Sequence, residues 1–267
     1  MHAFEYHRPK TMKEAVSLLR KVENARLLAG GQSLVAALKL RLARPAALVD
    51  LGALEELRGI KLDGGTLTIG ALTRHSEVAG SKDVAIGIPA LARLADSIGD
   101  RQIRNQGTLG GSLANNDPAA DYPAAVLGLG ATVNTNKRAI PADKFFTGLF
   151  ETALKSGEVI VSVSFPLPKR AAYVKFRNPA SHFALVGVFV SESAGTVRVS
   201  VTGGGNGVFR MKPMEQRLSE TFSADAIAKV KVSPDDLSSD LHASAEYRAH
   251  LLTVLAQRAV AAAIAGK

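Results

Sequence analysis

Apolar positions near the start of the chain follow two periods in turn. Ala15, Val16, Leu18 and Leu19 recur at helical spacing behind Thr11-Met12-Lys13-Glu14, where Thr and Glu three apart make a capping box. A short apolar run, Arg26 to Ala29, predicts a strand that enters Gly30-Gly31-Gln32-Ser33-Leu34. A second helix is predicted through about Arg41, stopped before Pro45, and Ala47 to Asp50 predicts another strand. From Gly59 the pattern shifts to short strands. Ile60-Lys61-Leu62 and Leu67-Thr68-Ile69 flank Asp63-Gly64-Gly65, a hairpin with a glycine turn. Thr73 is placed to cap a short helix, and Ala90 to Ile98 has an apolar helical face. Asp100 to Gly111 reads as a loop, Tyr122 to Leu129 as a helix, and Ala131–Thr135 and Val159–Phe165 as strands.

Pro166-Leu167-Pro168-Lys169-Arg170 opposes both helix and sheet and marks a boundary. Beyond it strands are predicted near Tyr173–Arg177, Phe183–Val190 and Val197–Thr202, then helices near Ala224–Val230 and Ala243–Ala265. This divides the chain into 1–168 and a smaller α+β part, 169–267.

Composition narrows the chemistry. No cysteine is present, which excludes disulfides, thiolate nucleophiles and cysteine-ligated iron–sulfur clusters in this chain and suits a reducing compartment. The first residues, Met1 to Pro9, lack the apolar stretch of a secretory signal, and no long uncharged apolar run predicts a membrane span. The expected location is therefore the cytoplasm. A net charge of +9 raises the question of nucleic acid, but the lysines and arginines are scattered without basic–aromatic interleaving. An anionic dinucleotide or an acidic partner suits that charge equally. The histidines show no close ligand pairing, so no metal site is expected.

Two glycine segments carry the chemistry: Leu28-Ala29-Gly30-Gly31-Gln32-Ser33 and Gly107-Thr108-Leu109-Gly110-Gly111-Ser112. Glycine admits positive φ and lets N–H groups approach a ligand with no Cβ between, and consecutive N–H groups make an anion-binding concavity. Ser33 and Thr108 are candidate hydroxyl donors. Each segment taken singly reads more readily as a tight strand–helix connection, and neither has the G-x-G-x-x-G spacing of a Rossmann site. Asp121, ahead of an apolar helix, reads either as its N-cap or as an acceptor for ribityl hydroxyls or a flavin N–H.

The runs Leu28–Arg41, Ile103–Ala124 and Gly70-Ala71-Leu72-Thr73 resemble the medium, FAD-binding subunit of carbon monoxide dehydrogenase, a module shared with xanthine dehydrogenases and related molybdenum hydroxylases. The resemblance extends from Phe4–Pro9 to Ser244–Arg248. It implies a two-lobed FAD-binding domain of the vanillyl-alcohol-oxidase (PCMH) type, with lobes at about 1–56 and 57–168, followed by a small α+β C-terminal domain. It also implies non-covalent FAD, with Leu28, Ala29, Gly30, Gly31, Gln32, Ser33 and Leu34 and then Thr108, Gly110, Gly111 and Ser112 around its pyrophosphate and ribityl chain. Ile98, Ala114 and Asp121 fall at further FAD-contact positions, and Ile160 and Lys175 follow at looser spacing.

The implied partners are a large molybdopterin subunit and a small subunit with [2Fe–2S] clusters, in a dimer of heterotrimers. Electrons would run from the clusters through FAD to an external acceptor, which requires no catalytic acid or base of this chain. The alternatives are a free-standing flavin oxidase or reductase of the same fold, and an interaction protein whose glycine turns are merely structural. Where the family carries an arginine-rich stretch and then an aspartate before Phe-Ala, this chain has Arg177-Asn178-Pro179-Ala180-Ser181-His182-Phe183-Ala184. His182 there reads as a surface or interface residue, and His75 as a conceivable flavin tether.

Overall fold

The structure is a computed structural model that describes residues Met1–Gly266. It opens with β1 (Glu5–His7), α1 (Met12–Lys21), β2 (Ala25–Leu28), α2 (Leu34–Lys39) and β3 (Ala47–Asp50). The strands form a parallel sheet in the order β1-β3-β2. Thr11 caps α1, accepting from Glu14 N at 3.2 Å, but the Glu14 carboxylate reaches back to Lys10 N rather than to the cap's own N–H. The second helix ends at Lys39, earlier than its apolar pattern suggests. Arg41 turns left-handed (φ 60°), while Leu42 N bonds Ala37 O and Arg41 N bonds Leu38 O, a Schellman termination without glycine.

The second lobe begins with the hairpin β4 (Ile60–Asp63) and β5 (Thr66–Gly70), turned by Gly64 and Gly65, both at positive φ. Six helices follow: α3 (His75–Gly80), α4 (Lys82–Gly87), α5 (Pro89–Asp96), α6 (Arg101–Arg104), α7 (Leu109–Asn115) and α8 (Asp121–Gly128). The segment 100–111 is thus not simply a loop. Asp100 and Thr108 each accept a backbone N–H three residues on, which starts the short helices α6 and α7. Thr73 does not cap α3; its hydroxyl donates to Gly59 O, and the helix starts after Arg74.

Then come β6 (Thr132–Thr135), β7 (Ala139–Pro141), the small pair β8 (Phe146–Gly148) and β9 (Glu151–Thr152), and β10 (Ile160–Pro166). The antiparallel sheet runs β4-β5-β10-β6-β7, with Val163 facing Ile69 on one side and Val133 on the other. Its core packs Ile69, Leu91, Leu94, Tyr122, Phe145 and Phe165, all fully buried or nearly so.

The last unit comprises β11 (Arg170–Arg177), β12 (Ala184–Ser193), β13 (Thr196–Thr202), β14 (Phe209–Arg210), α9 (Lys212–Glu220), α10 (Ala224–Ile227) and α11 (Ala245–Ile264). Helix α9 is an addition to the elements anticipated from sequence. Strands β11 to β14 are antiparallel in chain order. Val186, Val188 and Val190 with Val197, Val199 and Val201 form one face, packed on Leu251, Leu252, Leu255 and Val260 of α11. The opposite face meets α8. There Ser191, Ser200 and Thr202 donate to the carbonyls of Gly128, Ala124 and Ala120 at 2.6–2.7 Å. Buried hydroxyls are thereby satisfied while α8 is enclosed on every side.

Candidate functional site

The two glycine segments lie against each other. A Cβ on Gly30 would sit 2.0 Å from Gln106 O and 2.8 Å from Gly107 Cα, and one on Gly111 would come 3.6 Å from Ala29 Cβ. The turn after β2 therefore abuts the lead-in to α7. Behind this junction Gly107 is covered by His75 and Gly110 by Ala71, at 2.5 and 2.6 Å from their would-be Cβ atoms. Close packing alone thus accounts for these glycines: Gly30 meets backbone, Gly107 the His75 ring, and Gly110 both the side chain and the backbone of Ala71.

The two segments differ in what they leave free. Among the described residues, the N–H groups of Gly30, Gly31, Gln32, Ser33 and Leu34 have no protein acceptor. Gly31 turns the chain at φ 73°, a conformation that glycine adopts without penalty. In the second segment Leu109 N donates to Thr73 O, Gly110 N to Ala71 O, Gly111 N to the Thr108 hydroxyl and Ser112 N to Thr108 O. The first segment is thus the richer source of donors, and the second holds it in position. A run of unsatisfied N–H groups beside a glycine-lined junction fits the pyrophosphate of a dinucleotide.

A second cluster joins Asp121 and Lys175, whose ammonium also bonds Ser97 O, next to Ile98 in the chain. Asp121 is the first residue of α8 and only 4% exposed, and it is no N-cap: Ala120 takes that place, and the carboxylate instead accepts from Tyr173 Oη and, at 3.0 Å, from Lys175 Nζ. Lys175 also donates to Ser97 O and His182 O at 3.0 Å each, so all three of its protons are used. Burial drives the Asp121 carboxyl upward, opposed by the Lys175 ammonium and the Tyr173 hydroxyl. Tyr173 and Lys175 share one face of β11, and Gly187 across the strand leaves room for the phenol. Tyr173 was not among the sequence candidates, though its spacing two residues from Lys175 is the signal that finds it.

The remaining candidates scatter. Ser112 lies in the first turn of α7, part-buried, and Ala114 is exposed further along it. Ile160, 5% exposed, opens β10 inside the main core and has little side chain left for a ligand. His182 is part-buried and left-handed (φ 61°), with its ring Nδ1 3.2 Å from Gly99 O, which places it at an internal contact rather than on the open surface. His75 is 5% exposed, and burial together with the Arg104 charge lowers its pKa to about 4. Its ring packs against Tyr122 at 5.2 Å between centroids, a poor position for a covalent tether.

Residues 2–168 match the family of FAD-binding domains in molybdopterin dehydrogenases. The chain belongs to the FAD-binding medium subunits of the molybdenum hydroxylases. It is 35% identical to the carbon monoxide dehydrogenase medium chain of Hydrogenophaga pseudoflava, over 97% of this chain and 96% of the relative. It is likewise 35% identical to the alpha subunit of the 6-hydroxypseudooxynicotine dehydrogenase complex of Paenarthrobacter nicotinovorans, over 98% and 95%. The fold matches reconstituted CO dehydrogenase from Oligotropha carboxidovorans with a TM-score of 0.90 and 32% identity, covering 100% of this chain and 99% of that one. As in its family, the chain is a flavoprotein subunit of an oxidoreductase with an α+β fold. No helix among the described residues is long and apolar enough to cross a membrane.

Proposed function

We propose that this chain holds FAD non-covalently and passes electrons from the [2Fe–2S] clusters of a small partner subunit to an external acceptor. A large molybdopterin subunit would oxidise the substrate, in a cytoplasmic dimer of heterotrimers. Support comes above all from the run of N–H groups at Gly30–Leu34, free of protein acceptors where the two glycine segments meet. Those N–H groups would hold the pyrophosphate, with the Ser33 and Thr108 hydroxyls and Leu28, Ala29, Gly110, Gly111 and Ser112 lining it. Ile98, Ala114, Asp121 and Lys175 are assigned to the rest of the cofactor, and Ile160, buried in the main core, only to the packing behind it. The division is taken as 1–168 for FAD and 169–267 for the C-terminal domain.

Bound FAD would supply the redox chemistry, while the chain supplies position and electrostatics. Asp121 and Lys175 would offer a fixed carboxylate and ammonium beside the flavin without serving as acid or base. The buried His75 ring favours non-covalent attachment, and flavin in the pellet after acid precipitation would contradict it. The decisive experiment replaces Gly111 by Leu, whose side chain would project toward Ala29 between the segments. The variant is expected to fold but to lose the visible flavin band. Stoichiometric flavin in that variant would sink the assignment, and purification from the native host without partner subunits would favour a free-standing oxidase or reductase.

A further inference from the structure

Beyond the end of α5, three successive carbonyls are each held by a side chain. Ser97 O accepts from Lys175 Nζ at 3.0 Å, and Ile98 O accepts from Arg104 Nη1 at 3.0 Å. Gly99 O accepts from Arg104 Nη1 at 3.2 Å and meets His182 Nδ1 at 3.2 Å. The turn is sharp. Gly99 has φ 49°, and a Cβ there would lie 2.8 Å from Ile103 Cδ1. Arg104 is the local donor, six residues from Ile98. Lys175 and His182 reach the turn from the C-terminal sheet and its β11–β12 loop.

That loop is built to present His182. The Asn178 side chain, in a buried residue, accepts from Ala180 N and Ser181 N, at 2.9 and 3.1 Å. Asn178 N bonds Phe183 O at 2.8 Å, and His182 N bonds Asn178 O at 2.9 Å. These bonds enforce the left-handed backbone of His182 (φ 61°), a conformation that a residue with a Cβ holds only where its surroundings impose it. The conformation lets one residue make two contacts at once. Its ring turns to Gly99 O, while its main-chain carbonyl takes the third proton of Lys175 and so fixes the ammonium between Ser97 and Asp121.

We propose that His182 is a positioning residue for the flavin, holding the Ser97–Gly99 turn through its ring and the Lys175 ammonium through its carbonyl. The C-terminal sheet thereby shapes part of the cofactor site from outside the FAD-binding domain. The inference rests on the assignment of Ile98, Asp121 and Lys175 to FAD made above.

The test uses the full chain as purified, with His182→Gly and His182→Asn. Glycine keeps the left-handed backbone and its carbonyl but deletes the ring, whereas asparagine tolerates that backbone and restores a side-chain donor. In the FAD-free chain, His182→Gly is expected to raise amide hydrogen exchange across residues 97–104 about tenfold and to leave β10 and α11 unchanged. It should also weaken FAD binding about tenfold and alter the visible circular dichroism of the bound flavin. His182→Asn should return both readouts most of the way. Wild-type exchange at 97–104 in His182→Gly would overturn the proposal. So would faster exchange there with unaltered FAD affinity and flavin dichroism, because the turn would then not bear on the cofactor. A wild-type chain that takes up no FAD would overturn the flavin reading and this inference with it, a result told apart because exchange is read without cofactor.

Discussion

Gly30 and Gly107 meet backbone to backbone, with room for no Cβ on Gly30: it would lie 2.0 Å from Gln106 O and 2.8 Å from Gly107 Cα. Neither neighbour is a flexible side chain that can swing aside. Gly30→Ala must therefore push the turn after β2 away from the lead-in to α7, at about 1–3 kcal/mol. Gly111→Ala is different. Its Cβ would crowd only the Thr108 hydroxyl at 2.8 Å, and the helix gains what the cap loses, so stability should stay within about 1 kcal/mol of wild type. Thermal melts with flavin content measured alongside separate the two.

The Asp121–Lys175 pair is enclosed, with side chains 4% and 6% exposed. Removing one member strands the other, so Lys175→Met should destabilise the protein by about 3–5 kcal/mol. The double variant Asp121→Asn, Lys175→Met should recover part of that loss, since no charge remains unpaired. Urea midpoints for the two singles and the double make the comparison. Additive losses would show that the pair does not interact.

His75 gives the protein an acid-side weakness. Its folded pKa of about 4 lies below the ordinary 6.5, and Nδ1 has no hydrogen-bond partner among the described residues. The unfolded chain therefore takes up the proton first. Stability from this group is complete above pH 6.5 and falls as pH drops toward about 4, by up to about 3 kcal/mol, below which the slope levels. His75→Asn should flatten the dependence of melting temperature on pH across that window.

Arg248 ties α11 to the C-terminal sheet. It is 3% exposed and donates through Nη1 to Leu185 O and Gly203 O and through Nη2 to Asp240, the last at 2.6 Å. Lysine cannot reproduce that fork, so Arg248→Lys should cost about 2–3 kcal/mol. Faster hydrogen exchange in β12 and β13, with β5 and β10 unchanged, would place the loss in this unit.

Much of the local structure is legible in the sequence. The α1 cap at Thr11, the glycine turn between β4 and β5, strand β3 and the apolar helix from Tyr122 all appear where the pattern puts them. Each is decided by neighbours within a few residues: a hydroxyl and the N–H three positions on, or a glycine free to take positive φ. Misplacements occurred where a local signal had a distant competitor. Thr73 had the chemistry of a cap but found Gly59 O, and Asp121 stood ready to cap α8 but was claimed by Tyr173 and Lys175.

The sequence by itself determined the glycine segments, their order, and the alternation of apolar and polar positions in each strand. Only the tertiary structure decided which polar groups would be buried and with whom. Alternation in β13, Thr196-Val197-Arg198-Val199-Ser200-Val201-Thr202, reads as one wet face, yet Ser200 and Thr202 are fully buried against the carbonyls of α8. The contact of Gly30 with Gly107 and the grip of His182 on Gly99 are equally invisible along the chain. Periodicity reports which side of an element avoids water. A hydrogen bond between residues some eighty positions apart depends on how whole units dock, and docking leaves no period in the sequence.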